Sequence, residues 1–299
     1  MANLYAQSDS NIRKTWIYLF FFAFIVIGVG WIISYYLQSS IIIIIAVVLA
    51  ISLNFFSYWY SDKIVLRIFK ANPIKKGDNP ELYRILENLS ITAGLPMPSL
   101  YIMNEAQPNA FATGRDPKHG VIVVTQGLID RLERSELEAV MAHELAHIGN
   151  RDILLSTAVV VLVGMVVLMT DFFFRYAFWG RTGRGGDSKS KGIIIVIALA
   201  LAVLAPIMAQ IMKMAISRKR EFLADASGAL LTRHPEALAS ALEKIASNPS
   251  RMEKANDATA HLFIANPFRG KEKRAWLHKL FSTHPPIEER ITKLRELKI

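Results

Sequence analysis

The stretch His143-Glu144-Leu145-Ala146-His147 reads H-E-x-x-H, and the interpretation of the whole chain starts from it. On a helix, positions i and i+4 share one face, so the two imidazoles converge on one point where a Zn²⁺ ion can bind. Glu144 lies between them and can take a proton from a water molecule activated by the metal. The stretch therefore predicts a catalytic zinc site. The alternative is a surface helix that carries these residues by chance.

The residues around the pentapeptide favour a capped amphipathic helix. Ser135 and Glu138 fit a capping box, in which Ser135 is the N-cap and Glu138 lies three residues later. An apolar stripe at helical spacing follows, formed by Leu137, Val140, Met141 and Ile148. A helix is the context that the metal motif requires, so these surroundings favour the zinc site over a chance match.

A third zinc ligand has to come from elsewhere in the chain. The sequence contains no cysteine, so this ligand must be His, Asp or Glu, while the fourth position stays open for water. Glu221 is the best candidate, and Asp225 follows one helical turn later. The Asp225 carboxylate could accept the free ring N–H of a zinc-bound histidine and fix its tautomer. By itself the pair is weak evidence, because exposed helices often carry such acidic pairs.

Composition and hydropathy predict a membrane protein. Hydrophobic residues make up 52% of the chain, and residues 15–61 contain no charged side chain. One crossing needs about 20 apolar residues. We therefore predict two spans, Trp16–Leu37 and Ile41–Tyr60, joined by the polar turn Gln38–Ser40. The first segment is too long for a signal peptide and is expected to remain as a signal anchor.

A second pair of hydrophobic segments, Ile153–Thr170 and Gly192–Met212, flanks the loop 171–191. The pair predicts two further membrane helices, and the alternative is a helical hairpin buried in a soluble core. Basic residues flank the first, second and fourth segments, namely Arg13, Lys14, Lys63, Arg67, Lys70, Lys75, Lys76, Arg218, Lys219 and Arg220. This distribution places both termini and the catalytic parts in the cytoplasm. The loop 171–191 is also basic, which leaves open whether the hairpin fully crosses.

These segments divide the chain into five parts. The predicted parts are an N-terminal cytoplasmic tail (1–15), two transmembrane helices (16–60), a first catalytic part with the H-E-x-x-H helix (61–152), a hydrophobic hairpin (153–216) and a second catalytic part with the third zinc ligand (217–299). The first catalytic part is expected to be mixed α/β, with a helix over Asn79–Ala93 and strands over Ser99–Met103, Ala110–Thr113 and Val121–Thr125.

The net charge of +10 raises the question of nucleic-acid binding. The basic residues cluster beside hydrophobic segments, where they suit anionic lipid head groups, and no nucleic-acid module is evident. We therefore predict the lipid bilayer as a partner and no nucleic acid. A zinc transporter is the alternative from another functional class, but the four segments contain essentially no ionisable residue.

Several motifs occur together in one order along the chain. They are the paired hydrophobic segments, Pro108-Asn109-Ala110-Phe111-Ala112-Thr113-Gly114, the H-E-L-A-H helix, the hairpin, Arg220-Glu221-Phe222-Leu223-Ala224-Asp225, and Thr283-His284-Pro285-Pro286 with Glu289-Arg290. In these motifs the chain resembles the HtpX-type membrane zinc metalloproteases, which are relatives of the CAAX prenyl endopeptidases. The resemblance implies an α-helical membrane protein with a mostly α (α+β) gluzincin-like zinc protease domain and about four transmembrane or membrane-embedded helices. It also implies one zinc per subunit, bound by His143, His147 and Glu221, with Glu144 as general base.

Two further site predictions follow the resemblance. The strand residues Asn109, Ala110, Phe111 and Ala112 are the expected substrate platform, because an exposed sheet edge can bind an extended peptide backbone; the alternative is an ordinary hairpin strand. His284 is expected to stabilise the oxyanion, and the alternative is a histidine that caps the following helix.

The expected function is that of a zinc-dependent endopeptidase in the cell inner or plasma membrane. It would cleave cytoplasmic regions of misfolded or damaged membrane proteins, as the resemblance to quality-control proteases implies. The alternative is a dedicated processing protease for one membrane-tethered substrate, like the CAAX enzymes.

Overall fold

A computed structural model describes residues 4–179, 218–249, 252, 255, 259–265, 267 and 285–298. Its helices are α1 (Leu4–Leu37), α2 (Ile41–Trp59), α3 (Ser61–Phe69), α4 (Pro80–Ala93), α5 (Gln126–Arg131), α6 (Arg134–Gly149), α7 (Asp152–Trp179), α8 (Arg218–Thr232), α9 (Pro235–Ser247) and α10 (Ile287–Glu296). Its strands are β1 (Asn72–Pro73), β2 (Ser99–Met103), β3 (Ala110–Thr113) and β4 (Val121–Thr125). The predicted bounds of the last three strands are therefore confirmed.

Two helices of the described part, α1 and α2, are long and apolar enough to cross a membrane. A third span is possible if α6 and the start of α7, which meet at 86°, count as one broken span. α1 and α2 lie on either side of the turn Gln38–Ser40. Residues 4–15, expected in a tail, are already helical within α1, and residues 171–179, expected in a loop, continue α7. The predicted segment Gly192–Met212 lies outside the described residues.

The membrane-type helices pack against α7. Leu19 and Phe22 of α1, with Leu53 of α2, form a buried apolar cluster with Leu155 and Leu162 of α7. In a bilayer such contacts stabilise by van der Waals packing, since lipid tails are as apolar as leucine side chains. α7 follows α6 after a short break at Arg151, whose φ of 55° lies in the left-handed region. The H-E-x-x-H helix is therefore joined directly to the helical layer that contacts α1 and α2.

The four strands form one sheet in the order β1-β2-β4-β3. β2 runs parallel to β4, and β3 runs antiparallel to β4 with Ala112 opposite Ile122. β4 is buried throughout, as its run of Val and Ile residues requires for a central strand. β3 lies at the end of the sheet and contacts α6, so the sheet brings one edge strand next to the H-E-x-x-H helix.

The start of α6 differs from the prediction. The N-cap is Glu133, and its backbone N–H donates to Glu136 Oε2 at 2.9 Å, so the capping pair lies two residues before the predicted pair of Ser135 and Glu138. Glu136 also accepts hydrogen bonds from Ser240 at 2.6 Å and Lys244 at 2.8 Å on α9. These distant partners favour Glu136 as the capping residue, because they satisfy the rest of its buried carboxylate.

A glycine allows α8 to approach α6 closely. A Cβ atom at Gly228 of α8 would lie 2.9 Å from the backbone nitrogen of His143 and 3.2 Å from the backbone carbon of Ala142. Real Cβ atoms do not come that close to backbone, so any other residue at this position would push the helices apart. The separation of α6 and α8 therefore depends on the absence of a side chain at Gly228.

We expect Gly228→Ala to lower the unfolding free energy by about 1–3 kcal/mol, the usual cost of overpacking a close contact. The change should appear as a lower apparent melting temperature of the purified chain. Gly164→Ala is the matched control, since Gly164 lies in α7 with no atom within 4 Å of its would-be Cβ. In that open position alanine should stabilise by about 0.4–1 kcal/mol. Equal melting temperatures for the two variants would contradict the close-packing account.

Candidate metal centre

Both histidines of the H-E-x-x-H stretch lie on one face of α6. Their Nε2 atoms are 3.2 Å apart, and the rings meet edge to face with centroids separated by 4.7 Å. His143 is completely buried, whereas the side chain of His147 retains 15% exposure. The i, i+4 spacing therefore places two imidazole nitrogens at one point, as predicted from the sequence.

Glu221 on α8 completes the group. Its carboxylate oxygens lie 3.9 Å from His143 Nε2 and 3.7 Å from His147 Nε2. A tetrahedral ion with ligands at about 2.0–2.1 Å would separate its ligand atoms by about 3.3–3.4 Å. The observed separations, 3.2 to 3.9 Å, are close to that spacing, and the three side chains qualify geometrically as a metal-binding group. The residues predicted as zinc ligands are thus brought together from two helices.

Each histidine is oriented by a carboxylate on its other ring nitrogen. Asp225 Oδ1 lies 2.9 Å from His143 Nδ1, and Asp152 Oδ2 lies 3.0 Å from His147 Nδ1. A proton held on Nδ1 leaves the Nε2 lone pair available to a metal ion, and the carboxylate fixes the ring plane. Asp225 has the contact that the sequence analysis expected for it. Asp152 was missed, because it follows the H-E-x-x-H helix after a break whose geometry the sequence does not reveal.

Arg290 is a second residue that the sequence analysis did not place in the site. It is 1% exposed and donates to both Asp225 oxygens, from Nε at 2.8 Å and from Nη2 at 2.7 Å. Its Nη1 donates to the backbone carbonyl of Ile264 at 2.8 Å and lies 3.6 Å from a Glu221 oxygen. The pair Glu289-Arg290 contributed to the family resemblance, but nothing local in the sequence indicates that Arg290 reaches α8.

The buried charges shift one another's protonation. Burial opposes ionisation of Asp225, yet the Arg290 guanidinium and His143 hold the pKa of its carboxyl below its usual range. Burial also opposes charge on His147, but the hydrogen bond to Asp152 and the charge of Glu221 raise its pKa to about 9. The carboxylates around His147 thus favour positive charge at this imidazole, and a metal ion bound to Nε2 would replace the second proton. The donor set therefore suits a cation.

Glu144 differs from the other carboxylates. Its side chain is buried, and burial together with the charge of Glu221 raises its pKa to about 7, although His147 and Arg290 oppose the shift. The backbone N–H of Ala112 also acts on this carboxylate and lowers its pKa. A carboxyl with a pKa near neutrality can accept and release a proton at physiological pH. Glu144 thus has the protonation behaviour that a general base requires.

A narrow cavity of about 30 Å³ lies between these groups. Its lining combines the two histidines, Glu144, Glu221 and Asp152 with Ala112, Ile153, Ser156, Arg220, Leu262, Phe263 and Ile264. That volume is enough for one or two water-sized species. The residues present can therefore hold a small ion together with a water molecule next to Glu144.

The predicted substrate strand forms, but its edge is not open. All residues of β3 are buried, and Ile264 N donates to the Ala110 carbonyl at 2.9 Å along the outer edge. Asn109 Nδ2 donates to the Ala265 carbonyl at 3.0 Å. Phe111 packs against Phe263 with centroids 5.2 Å apart and is a core residue. The chain's own segment Leu262–Ala265 thus occupies positions that an extended peptide would need.

One predicted site residue cannot be placed. His284 lies outside the described residues, as does Thr283, and Pro286 is the N-cap of α10, which carries Arg290. The assignment of His284 to oxyanion stabilisation or to helix capping stays a prediction.

We expect Arg290→Lys to weaken metal binding about 10–100-fold, the usual cost of losing an outer partner of a metal ligand. Lysine keeps the charge but cannot donate to both Asp225 oxygens in one plane, so Asp225 would no longer hold the His143 ring. Competition with a chromogenic chelator measures the affinity. Arg295→Lys is the matched control, because Arg295 lies on the same helix and pairs with Glu236 at the surface. Wild-type affinity in Arg290→Lys would contradict this role.

Comparison with known proteins agrees with the site. Residues 76–298 match the family described as Peptidase family M48. "Protease HtpX homolog" of Dictyoglomus thermophilum is 44% identical over 292 residues, which cover 97% of this chain and 94% of that protein. "Protease HtpX homolog" of Syntrophobacter fumaroxidans is 49% identical over 258 residues, 85% of this chain and 89% of that protein.

A solved structure shares the fold. The crystal structure of S. mikatae Ste24p aligns with a TM-score of 0.51 at 18% identity, over 97% of this chain and 66% of that one. This shared fold is consistent with the sequence matches, which include the H-E-x-x-H helix and Glu221. The chain belongs to peptidase family M48 and, within it, to the HtpX-type membrane metalloproteases.

Proposed function

We propose that this chain is a zinc-dependent endopeptidase that cleaves cytoplasmic regions of membrane proteins and serves membrane protein quality control. The observation that carries the proposal is the convergence of His143, His147 and Glu221 beside the buried carboxyl of Glu144. Three protein ligands with an open fourth position are the arrangement of catalytic zinc sites, whereas structural zinc sites have four protein ligands. One zinc per subunit would be held by these three side chains.

Bound zinc would supply Lewis-acid polarisation of the scissile carbonyl and would make water a stronger nucleophile at neutral pH. Glu144 then accepts the proton of the attacking water, and its raised pKa lets it pass that proton to the leaving amine. Asp225 and Asp152 hold the imidazoles in the tautomer that exposes Nε2. No covalent bond between the enzyme and the substrate is needed. We retain His284 as the proposed donor to the oxyanion.

The position of the site supports membrane proteins as substrates. α6 leads directly into α7, which packs on the apolar helices α1 and α2. Catalytic groups next to such helices are well placed to meet chains tethered to the same membrane. The basic residues that flank the spans support a cytoplasmic location of the site and of both termini. Ala112 of β3 lines the cavity, so an extended substrate could pair with this strand once the segment Leu262–Ala265 moved aside.

We expect Glu144→Gln to abolish zinc-dependent cleavage of casein by the full chain purified in detergent, while zinc binding stays at the wild-type level. Glutamine keeps the shape of the side chain but cannot accept the proton. His143→Ala should lose most of the zinc as well as the activity, because it removes a ligand.

The matched control is Glu138→Gln, since Glu138 lies on the same helix and is not among the residues that line the cavity. Its activity and zinc content should equal those of the wild type. Full peptidase activity in Glu144→Gln, or zinc-independent cleavage by the wild type, would refute the proposed mechanism.

A further inference from the structure

Asn11, in the N-terminal part of α1, is completely buried. Its Nδ2 donates to the backbone carbonyl of Asn150 at 2.9 Å and to Asp152 Oδ1 at 2.5 Å. Both partners are about 140 positions away in the sequence. A polar side chain in the polar first part of α1 thus reaches the junction between α6 and α7.

The partner of Asn11 is the carboxylate that orients His147. Asp152 is 3% exposed; its Oδ1 accepts from Asn11, and its Oδ2 lies 3.0 Å from His147 Nδ1. One chain of polar contacts therefore runs from α1 through Asp152 to an imidazole of the candidate metal centre. A carboxylate held at one oxygen has less freedom to rotate, so its other oxygen stays in the plane of the ring.

An amide suits this position for its two donor hydrogens. One hydrogen can satisfy the Asn150 carbonyl while the other goes to the carboxylate, which a hydroxyl group with its single hydrogen cannot do at once. The Asn11 Oδ1 is buried and accepts no hydrogen bond from the residues that the structure describes. An unsatisfied buried acceptor costs free energy. The two hydrogen bonds donated by Nδ2 therefore account for the placement of this side chain.

We propose that Asn11 is a positioning residue of the metal centre. It holds the Asp152 carboxylate in place and, through Asp152, the His147 ring. Helix α1 would then contribute to the active site in addition to crossing the membrane. The inference rests on the proposed function, because it needs His147 to be a zinc ligand. It predicts that zinc affinity depends on the hydrogen bond from Asn11 to Asp152, and not on α1 contacts elsewhere.

The test measures zinc affinity of the full chain in detergent by chelator competition, and the melting temperature of the metal-free chain from the same preparation. Asn11→Ala and Asn11→Leu both remove the donor; alanine truncates the side chain, whereas leucine keeps its branched shape at a larger volume, so the site stays filled. Each should bind zinc about 10-fold more weakly, the lower end of the range for outer partners, because Asn11 acts through Asp152. In an Asp152→Ala background the Asn11 substitutions should cause no further loss.

Asn54→Ala is the matched control. Asn54 lies on α2 and donates to the Leu19 carbonyl of α1 at 3.2 Å, so its loss weakens an α1 contact that has no connection to the metal centre. Its zinc affinity should equal that of the wild type, whatever the change in melting temperature.

Wild-type zinc affinity in the folded Asn11→Leu variant would overturn the inference. So would an undiminished 10-fold loss in the Asp152→Ala background, because the effect would then bypass Asp152. A wild-type chain that binds no zinc would instead refute the proposed function, and the inference with it.

Discussion

The close packing of α8 on α6 is the constraint on which the rest of the structure depends. Two of the proposed metal ligands lie on α6 and the third lies on α8, so the group forms only when these helices are in contact. Gly228 permits the contact, because a Cβ there would collide with the backbone of His143 itself. The same packing brings Asp225 to the second nitrogen of His143. One helix pair therefore sets both the positions of the proposed ligands and the orientation of the His143 ring.

This packing buries an unusual number of charges in a small volume. Glu144, Glu221, Asp225 and Asp152 are all at most 7% exposed, and so is Arg290. Isolated buried charges cost several kcal/mol each, so such a group is stable only when its members are paired and hydrogen-bonded. Arg290 neutralises Asp225, and a divalent cation would balance the carboxylates around His143 and His147. The charges of these residues and the spacing of their ligand atoms thus both favour a divalent cation.

The membrane part and the catalytic part share this network. α7 starts at Asp152, which contacts His147, and continues into the apolar layer with α1 and α2. α1 contacts the same residue, Asp152, through the side chain of Asn11. Helices that would be needed only to attach the protein to the membrane thus also make contacts next to the proposed ligand His147. A division into a membrane anchor and a separate soluble protease does not describe this molecule.

Sequence reasoning found the parts of the site that follow from local periodicity. The i, i+4 histidines, Glu144 between them and the Glu221–Asp225 pair one turn apart are all local patterns, and the structure brings them together. Asp152, Arg290 and Asn11 could not be found this way, because their partners lie across a helix break or far along the chain. The capping pair of α6 was placed two residues late for the same reason: Ser240 and Lys244, which decide it, are on another helix. The strand β3 was predicted with its correct bounds. The segment Leu262–Ala265, which packs along its outer edge, was not predicted, because this contact joins residues that are far apart in the sequence.

The most direct test of the central claim is anomalous diffraction at the zinc absorption edge from crystals of the full zinc-loaded chain. We predict one anomalous peak per chain, at about 2.0–2.2 Å from His143 Nε2, His147 Nε2 and a carboxylate oxygen of Glu221. A peak that lies elsewhere, or one bound by the two histidines with Glu221 turned away, would contradict it.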